Sequence, residues 1–339
     1  MDQLTEIRRP IEAEMRAYRE LFEQTLQTEN PLLQLALSHL LKRQGKMMRP
    51  MLVLLAARYV GQGGKSTSES EESALTVPRS VLHAAVALEL LHTASLVHDD
   101  VVDESDRRRG QKSVNALLDN KAAVLVGDFL LSKALYHSAQ TGSQQVVTWV
   151  AQLGQTLSDG ELLQLANLDK TEISEADYYE VIRKKTASLF ETCARTGALL
   201  AGGGGEVVEQ MARFGDAVGM CFQLRDDIMD YDNQHDTGKP SGNDMKEGKL
   251  TLPVIYAVLN SGDADLRTLA LKVRSGEASD GEISRLVALT HDFGGIRYAE
   301  KNMDKFAHNA LSLLKGTEAS SPVVDALVHY VRFVVGRDI

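Results

Sequence analysis

The chain is poor in the residues that staple, flatten or interrupt a fold. Of its 339 residues only two are cysteine, Cys193 and Cys221. Two thiols build no disulfide framework and lack metal-ligand spacing, so a reduced, cytoplasmic setting is expected. Aromatic side chains make up 5%, with a single tryptophan. Alternating runs of β-branched and aromatic residues are missing, which argues against sheet. Seven prolines occur, and none lies between Pro78 and Pro240. Proline costs a helix interior about 3 kcal/mol, so that long stretch, rich in Ala, Leu, Glu, Gln and Lys, is open to helix. Basic charge is also short: 37 Lys and Arg stand against 47 Asp and Glu, a net charge of −10. That speaks against nucleic acid as a partner. No run of about 20 uncharged apolar residues is present, so no transmembrane segment is expected. The stretch 81–97 comes closest, but it carries His83, Glu89 and His92 and reads as a buried helix of a soluble protein. Residues 1–20 are charged throughout and do not read as a signal peptide.

Apolar residues, at 43%, are enough for a large core and exclude disorder over the whole chain. Their period is helical. It predicts helices over 31–44, 50–60, 80–103, 122–140, 146–168, 175–200, 207–230 and 251–260, and a helical remainder from 282 onward. Residues 80–103 are apolar on nearly all sides, as in a helix surrounded by others. Residues 61–78 and 231–249 are rich in Gly, Ser and charge and read as loops. No composition break divides the chain, so one all-α domain over 1–339 is expected.

Two acidic clusters stand out against this background. Asp99, Asp100 and Asp103 form one, and Asp226, Asp227 and Asp230 the other. Both read DDxxD, and both end apolar helical patterns. Residues four apart share a helix face, so Asp99 faces with Asp103 and Asp226 with Asp230, and like charges at that spacing destabilise a helix. A single copy reads as a solvated acidic face. Two copies at apolar helix ends call for a compensating cation, and carboxylate oxygens suit Mg²⁺, which keeps several waters and bridges to substrate phosphates.

Cations stand close by in sequence. Lys46 and Arg49 lie three apart, Arg107, Arg108 and Arg109 follow the first cluster, Lys184 and Lys185 sit inside an apolar helix, and Lys239 and Lys249 follow the second cluster. Taken singly, each is a solvent-facing charge. Taken with the carboxylates, they suggest a polyanion held with metals, because Arg grips phosphate oxygens bidentately and Lys acts as a point charge. His92 lies seven residues before Asp99, about two turns, and shares its side of the helix. His98 reads as structural.

The segments GKMMRP (45–50), ELLHTASLVHDDVVDESDRRRG (89–110), VGDFLLSKAL (126–135), GELLQL (160–165), KTASLF (185–190), GMCFQLRDDIMD (219–230) and GKPSGNDMKEGKLTLP (238–253), in that order, resemble the all-trans isoprenyl (polyprenyl) diphosphate synthases. The likeness runs over nearly the whole chain. It implies the isoprenoid synthase fold, a single large antiparallel helical bundle around a deep central cavity, and a homodimer. It implies Mg²⁺, three ions with substrate bound, between the two aspartate clusters and an allylic diphosphate. Asp99, Asp100, Asp103, Asp226 and Asp230 would ligate metal, with Asp227 supporting. Arg108, Lys185, Lys239 and Lys249 would hold the allylic diphosphate, and Lys46, Arg49, His92 and Arg109 the diphosphate of isopentenyl diphosphate. Thr186 and Gln223 would face the developing carbocation. Diphosphate departs, the double bond of isopentenyl diphosphate attacks the allylic cation, and a proton is lost. Water must be kept out, a task for the apolar helix walls and the 231–249 loop.

Product length follows from what lines the first aspartate helix. Ser95 and Leu91 lie one and about two turns before Asp99, with Ala94 beside them, and a turn of 5.4 Å is close to one isoprene unit. Short-chain members of the family carry a large aromatic near Ala94 or Ser95. Here both are small and Leu91 is only a partial obstacle, so a tunnel open past farnesyl length is expected; Trp149 reads first as a core residue and, with its neighbours Val146 and Val150, second as a candidate floor. The expected activity is sequential condensation of isopentenyl diphosphate onto farnesyl or geranylgeranyl diphosphate, giving a long all-trans polyprenyl diphosphate for a respiratory quinone and delivered to the membrane. The alternatives are a geranylgeranyl diphosphate synthase and the catalytic subunit of a heteromeric synthase. A class I terpene cyclase is disfavoured because its second motif normally carries Asn, Ser or Thr and Glu. A non-enzymatic scaffold leaves both clusters unexplained.

Overall fold

The computed structural model describes residues 3–42, 45–61, 76–108, 110–231, 242–314 and 321–337. Fifteen helices carry the argument: α1 Glu12–Thr25, α2 Pro31–Leu41, α3 Met48–Gly61, α4 Arg79–Val102, α5 Asn120–Gln140, α6 Gln144–Leu168, α7 Glu175–Ile182, α8 Ser188–Leu200, α9 Gly205–Met229, α10 Asn243–Lys246, α11 Leu252–Ser261, α12 Ala264–Arg274, α13 Asp280–Asp292, α14 Gly295–Leu313 and α15 Pro322–Gly336. Among the described residues the only sheet is a two-residue hairpin, Arg107–Arg108 against Gln111–Lys112. The all-α expectation holds.

Contacts gather into two compact units. One comprises Met1–Gln155, Leu189–Gly215 and Glu318–His329, and the other Thr156–Ser188, Asp216–Thr317 and Tyr330–Ile339. In the first unit α4 is the central helix and packs on α1, α3 and α5. Val81, Val86, Leu88 and Leu90 are fully buried along it, each contributing about 1.5–3 kcal/mol relative to exposure. Its length and composition would suit a bilayer span, but 61% of its most apolar stretch is buried within the protein. The close packing of α4 on α5 has a local cause at Gly127. A Cβ there would lie 2.2 Å from Nε2 of His98, so a larger residue would push the imidazole out of this position. His98 Nε2 in turn reaches the Val124 carbonyl at 3.2 Å and Asp128 at 3.5 Å, the structural role expected of it.

In the second unit α11 packs against α13 and α14, and a serine–glutamate capping box at Ser279 and Glu282 starts α13, satisfying two of the orphan N–H groups of its first turn. The helix expected over 175–200 is not continuous. A five-residue π-helical turn, Arg183–Ala187, separates α7 from α8. Such wide turns are rare and concentrate at functional sites, and this one carries Lys184, Lys185 and Thr186. Beside it stands Gly160 of α6, where a Cβ would meet Lys184 Cβ and Lys185 Cγ at 2.9 Å each. The glycine of GELLQL therefore lets the π-turn approach α6. The expected 231–249 loop contains α10, and its residues 232–241, like 62–75 of the other expected loop, lie outside the described residues.

Candidate active site

The first acidic cluster ends α4. Asp103 N–H donates to the Asp99 carbonyl at 2.8 Å, so helical spacing persists to the end of the cluster and sets Asp99 and Asp103 on one side. Asp100 turns the other way. It is 2% exposed, and its carboxylate accepts from Arg108 Nε at 2.6 Å. A buried carboxylate needs such a partner, since an uncompensated charge there is strongly destabilising. The hairpin makes the pairing: Arg108 lies opposite Gln111, Gly110 turns at φ +75°, and Asn115 Nδ2 ties the carbonyls of Asp100 and Ser105 at 3.2 Å each. Arg108, expected on diphosphate, thus also serves as counter-ion to Asp100.

The other expected residues of this unit surround a second feature. His92 lines a cavity of about 80 Å³ together with Glu89, Thr93, Leu96, Asp100 and Arg108. Lys46 is exposed, and Met47 beside it holds φ +54° before α3 begins. The Arg49 guanidinium lies over the Phe190 ring at 5.1 Å, a cation–π arrangement. Leu91 and Ala94 are buried and Ser95 is half-buried, its hydroxyl donating to the His92 carbonyl at 2.9 Å. Val146 and Val150 are buried. Trp149 is half-buried under Arg195, whose guanidinium sits 4.5 Å from the indole ring. Arg109 lies outside the described residues.

The second cluster ends α9 and repeats the pattern. Asp226 and Asp230 stand one turn apart, joined by the Asp230 N–H to Asp226 carbonyl bond of 3.2 Å. Asp227 turns inward at 2% exposure. Its carboxylate accepts from the Tyr178 hydroxyl and from Gln223 Nε2 at 2.8 Å. Gln223 Oε1 accepts from the Thr186 hydroxyl at 2.7 Å. Thr186 and Gln223 are thus brought together, in one chain of hydrogen bonds with Asp227 and Tyr178. Burial pushes the Asp227 carboxyl up to about 7, against the lowering effect of its two hydrogen bonds. Asp230 anchors the next segment: it accepts from the backbone N–H of Asn243 at 3.0 Å and of Asp244 at 3.1 Å. Asp226 accepts from the Arg337 guanidinium.

A cavity of about 190 Å³ opens beside this cluster, lined by Lys185, Gln223, Asp227, Asp244 and Lys249 among others. Lys185 Nζ donates to Glu161 at 2.7 Å and to Gln164 Oε1 at 2.8 Å. Those two residues and the close-approaching Gly160 are the content of GELLQL, a motif whose role the sequence alone left unread. Lys249 Nζ donates to Glu247 at 2.6 Å, while its backbone N–H donates to the Asp244 carbonyl at 2.8 Å. The Asp244 carboxyl is pushed well up, first by burial and then by the charges of Asp227 and Asp230. Tyr178, Asp244 and Arg337 are site residues without a spacing signal. Lys239 lies outside the described residues.

The donor set fits Mg²⁺. In each cluster the middle aspartate is held inward by protein groups and the outer two share a face, offering carboxylate oxygens only, as a hard, hydrated cation requires. Among the described residues no three His, Cys, Asp or Glu side chains converge on one metal position, so phosphate oxygens and water would have to complete the coordination. A cationic group, the Arg337 guanidinium, already rests on one of the four outer carboxylates.

Fold and site together describe a helical protein with two carboxylate faces and, in the second unit, a lysine-lined cavity. The polyprenyl synthetase family model matches residues 30–290. The chain is 33% identical over 313 residues to the octaprenyl diphosphate synthase of Haemophilus influenzae, covering 92% of this chain and 91% of that protein. Among solved structures, a geranylgeranyl pyrophosphate synthase from Bacteroides thetaiotaomicron is 43% identical with a TM-score of 0.83, over 99% of this chain and 100% of that one. A decaprenyl diphosphate synthase from Rhodobacter capsulatus is 32% identical with a TM-score of 0.87, over 98% of each chain. The chain belongs to the polyprenyl synthetase family.

Proposed function

We propose that the chain is a Mg²⁺-dependent prenyltransferase that adds isopentenyl diphosphate repeatedly to an allylic diphosphate and releases a long all-trans polyprenyl diphosphate. The observation that carries this reading is the cavity that gathers Lys185, Gln223, Asp227 and Lys249 beside the second aspartate cluster. Lys185 and Lys249 hold the allylic diphosphate by charge, and Glu161 and Gln164 keep Lys185 pointed. Asp99 and Asp103 would hold metal at the first cluster, and Asp226 and Asp230 at the second. Bound to diphosphate, Mg²⁺ supplies Lewis-acid stabilisation of the charge that grows on the leaving group. The Thr186 hydroxyl and the Gln223 amide are positioned dipoles for the allylic cation, fixed by their bond to each other and by Asp227. Asp100 supports its cluster as Asp227 supports the other. His92, Lys46 and Arg49 take the diphosphate of isopentenyl diphosphate.

The small, buried Ala94 and its neighbour Ser95 support a long product, of the kind that serves as a quinone tail. The 43% identity to a geranylgeranyl pyrophosphate synthase supports a second reading with the same chemistry and a shorter product. A homodimer agrees with α5, which leaves Val124, Leu125, Leu135 and Tyr136 between 41% and 68% exposed, two apolar pairs about three turns apart on one helix side that a second copy would cover. A cytoplasmic setting agrees with two free, buried cysteines. The test is incorporation of labelled isopentenyl diphosphate into butanol-extractable product by the purified chain with farnesyl diphosphate and Mg²⁺. Incorporation that EDTA abolishes supports the reading, and incorporation that survives EDTA overturns its metal step.

A further inference from the structure

Arg337 follows helix α15 and lies 111 positions from Asp226 in sequence. The last two turns of α9 grip it from several sides. Its guanidinium donates to the Asp226 carboxylate and to the Phe222 carbonyl at 2.9 Å. The same group lies 3.5 Å from the centre of the Phe222 ring. The Arg337 carbonyl accepts from Arg225 Nε at 3.0 Å. The arginine side chain is only 11% exposed, whereas that of Asp226 is 42% exposed. A planar guanidinium stacked on an aromatic face and hydrogen-bonded to a carboxylate is a built contact, since Arg is the cation suited to both partners at once.

We infer that Arg337 is a resident counter-ion of the second aspartate cluster and a latch that metal binding opens. The inference rests on the metal-binding reading of Asp226 and Asp230. Lone pairs that accept from a guanidinium are not available to a dication, and two cations on one carboxylate repel. Metal arriving at Asp226 therefore displaces Arg337, and with it the backbone that Arg225 holds. In the metal-free protein the same contact neutralises Asp226, which with Asp230 would otherwise set two like charges one turn apart. The latch thus stabilises the empty site and weakens its affinity for free metal, so that metal without diphosphate binds poorly.

The test uses the full chain and Mn²⁺ alone as the probe. Calorimetric titration compares the wild type, Arg337→Gln and Asp226→Asn, and hydrogen exchange follows residues 330–337 of the wild type with and without Mn²⁺. Arg337→Gln is expected to bind Mn²⁺ about fivefold more tightly, the scale of one partly exposed ion pair. Exchange at 330–337 is expected to speed up on adding Mn²⁺ in the wild type and to stay unchanged in Asp226→Asn. Equal or weaker Mn²⁺ binding by a folded Arg337→Gln overturns the latch while leaving the metal reading intact. If that variant does not fold, unchanged exchange in Mn²⁺-bound wild type does the same. Titrations in which neither wild type nor a folded Arg337→Gln takes up Mn²⁺ overturn the metal reading of the cluster, and the latch with it.

Discussion

Lys185 is the residue on which the second half of the site turns. Its ammonium is held by Glu161 and Gln164 across a chain separation of more than twenty residues, so on the proposed reading it would meet a diphosphate already oriented. Lys185→Ala is expected to lower kcat/KM about 100-fold, the cost of removing one preorganised stabilising group, in a steady-state assay of diphosphate release. A loss of less than threefold would remove it from the site. The conservative Lys185→Arg should recover part of the activity, since the charge returns on a longer fork. Ala94 carries the other residue-scale expectation. It is buried beside Leu91 on α4, the face on which the proposed path of a growing chain would be filled by an aromatic ring. Ala94→Phe should shorten the product to about farnesyl or geranylgeranyl length, measured by mass spectrometry, and an unchanged product would remove the tunnel from this face. The DDxxD spacing was readable in advance because four residues make a turn. That Asp100 and Asp227 turn inward was not readable, because their partners Arg108 and Tyr178 are placed by a two-residue hairpin and by a helix 49 positions away.

At the scale of elements, the helix pattern follows the apolar period closely, and the departures have local causes. The π-turn at Arg183–Ala187 leaves no mark in a periodicity, since it changes only which residues face the site, and the approach of Gly160 that accompanies it is a contact between distant segments. Helix α10 is too short to show a period, and it stands on Asp230. A second element-scale device joins α1, α4 and α5. His137 Nδ1 faces His83 Nδ1 at 2.9 Å, and its Nε2 faces the Thr25 hydroxyl at 2.9 Å. Burial lowers His137 to about 4, with His83 and Lys133 adding to the effect. Burial also lowers His83, helped by Arg79. A histidine held neutral in the fold binds fewer protons than in the unfolded chain between about pH 6.5 and 4. Its contribution is therefore intact above pH 6.5 and is lost as pH falls toward 4. The thermal midpoint of the wild type should drop between pH 7 and pH 4.5 by more than that of His137→Gln. Equal drops in the two proteins would show that the pair carries no linkage.

At the scale of the molecule, each of the two compact units carries a carboxylate face, a cavity and cations of its own. Family membership was legible in seven short motifs, whereas Arg337, the cation seated on Asp226, belongs to none of them. The exposed apolar pairs on α5 extend the proposal to assembly. Leu125, at 68% exposure, contributes little to the fold of one chain and much to a paired surface. Leu125→Glu should leave circular dichroism unchanged and convert a dimer to a monomer in light scattering, whereas an unchanged mass would remove this face from the assembly. The central claim, a long-chain prenyltransferase, is tested most directly by sizing its product. The purified chain is incubated with farnesyl diphosphate, excess isopentenyl diphosphate and Mg²⁺, and the products are weighed by mass spectrometry. A ladder ending in a polyprenyl diphosphate several isoprene units longer than geranylgeranyl is the expected result. A product that stops at geranylgeranyl diphosphate, or no product from the chain alone, would contradict it.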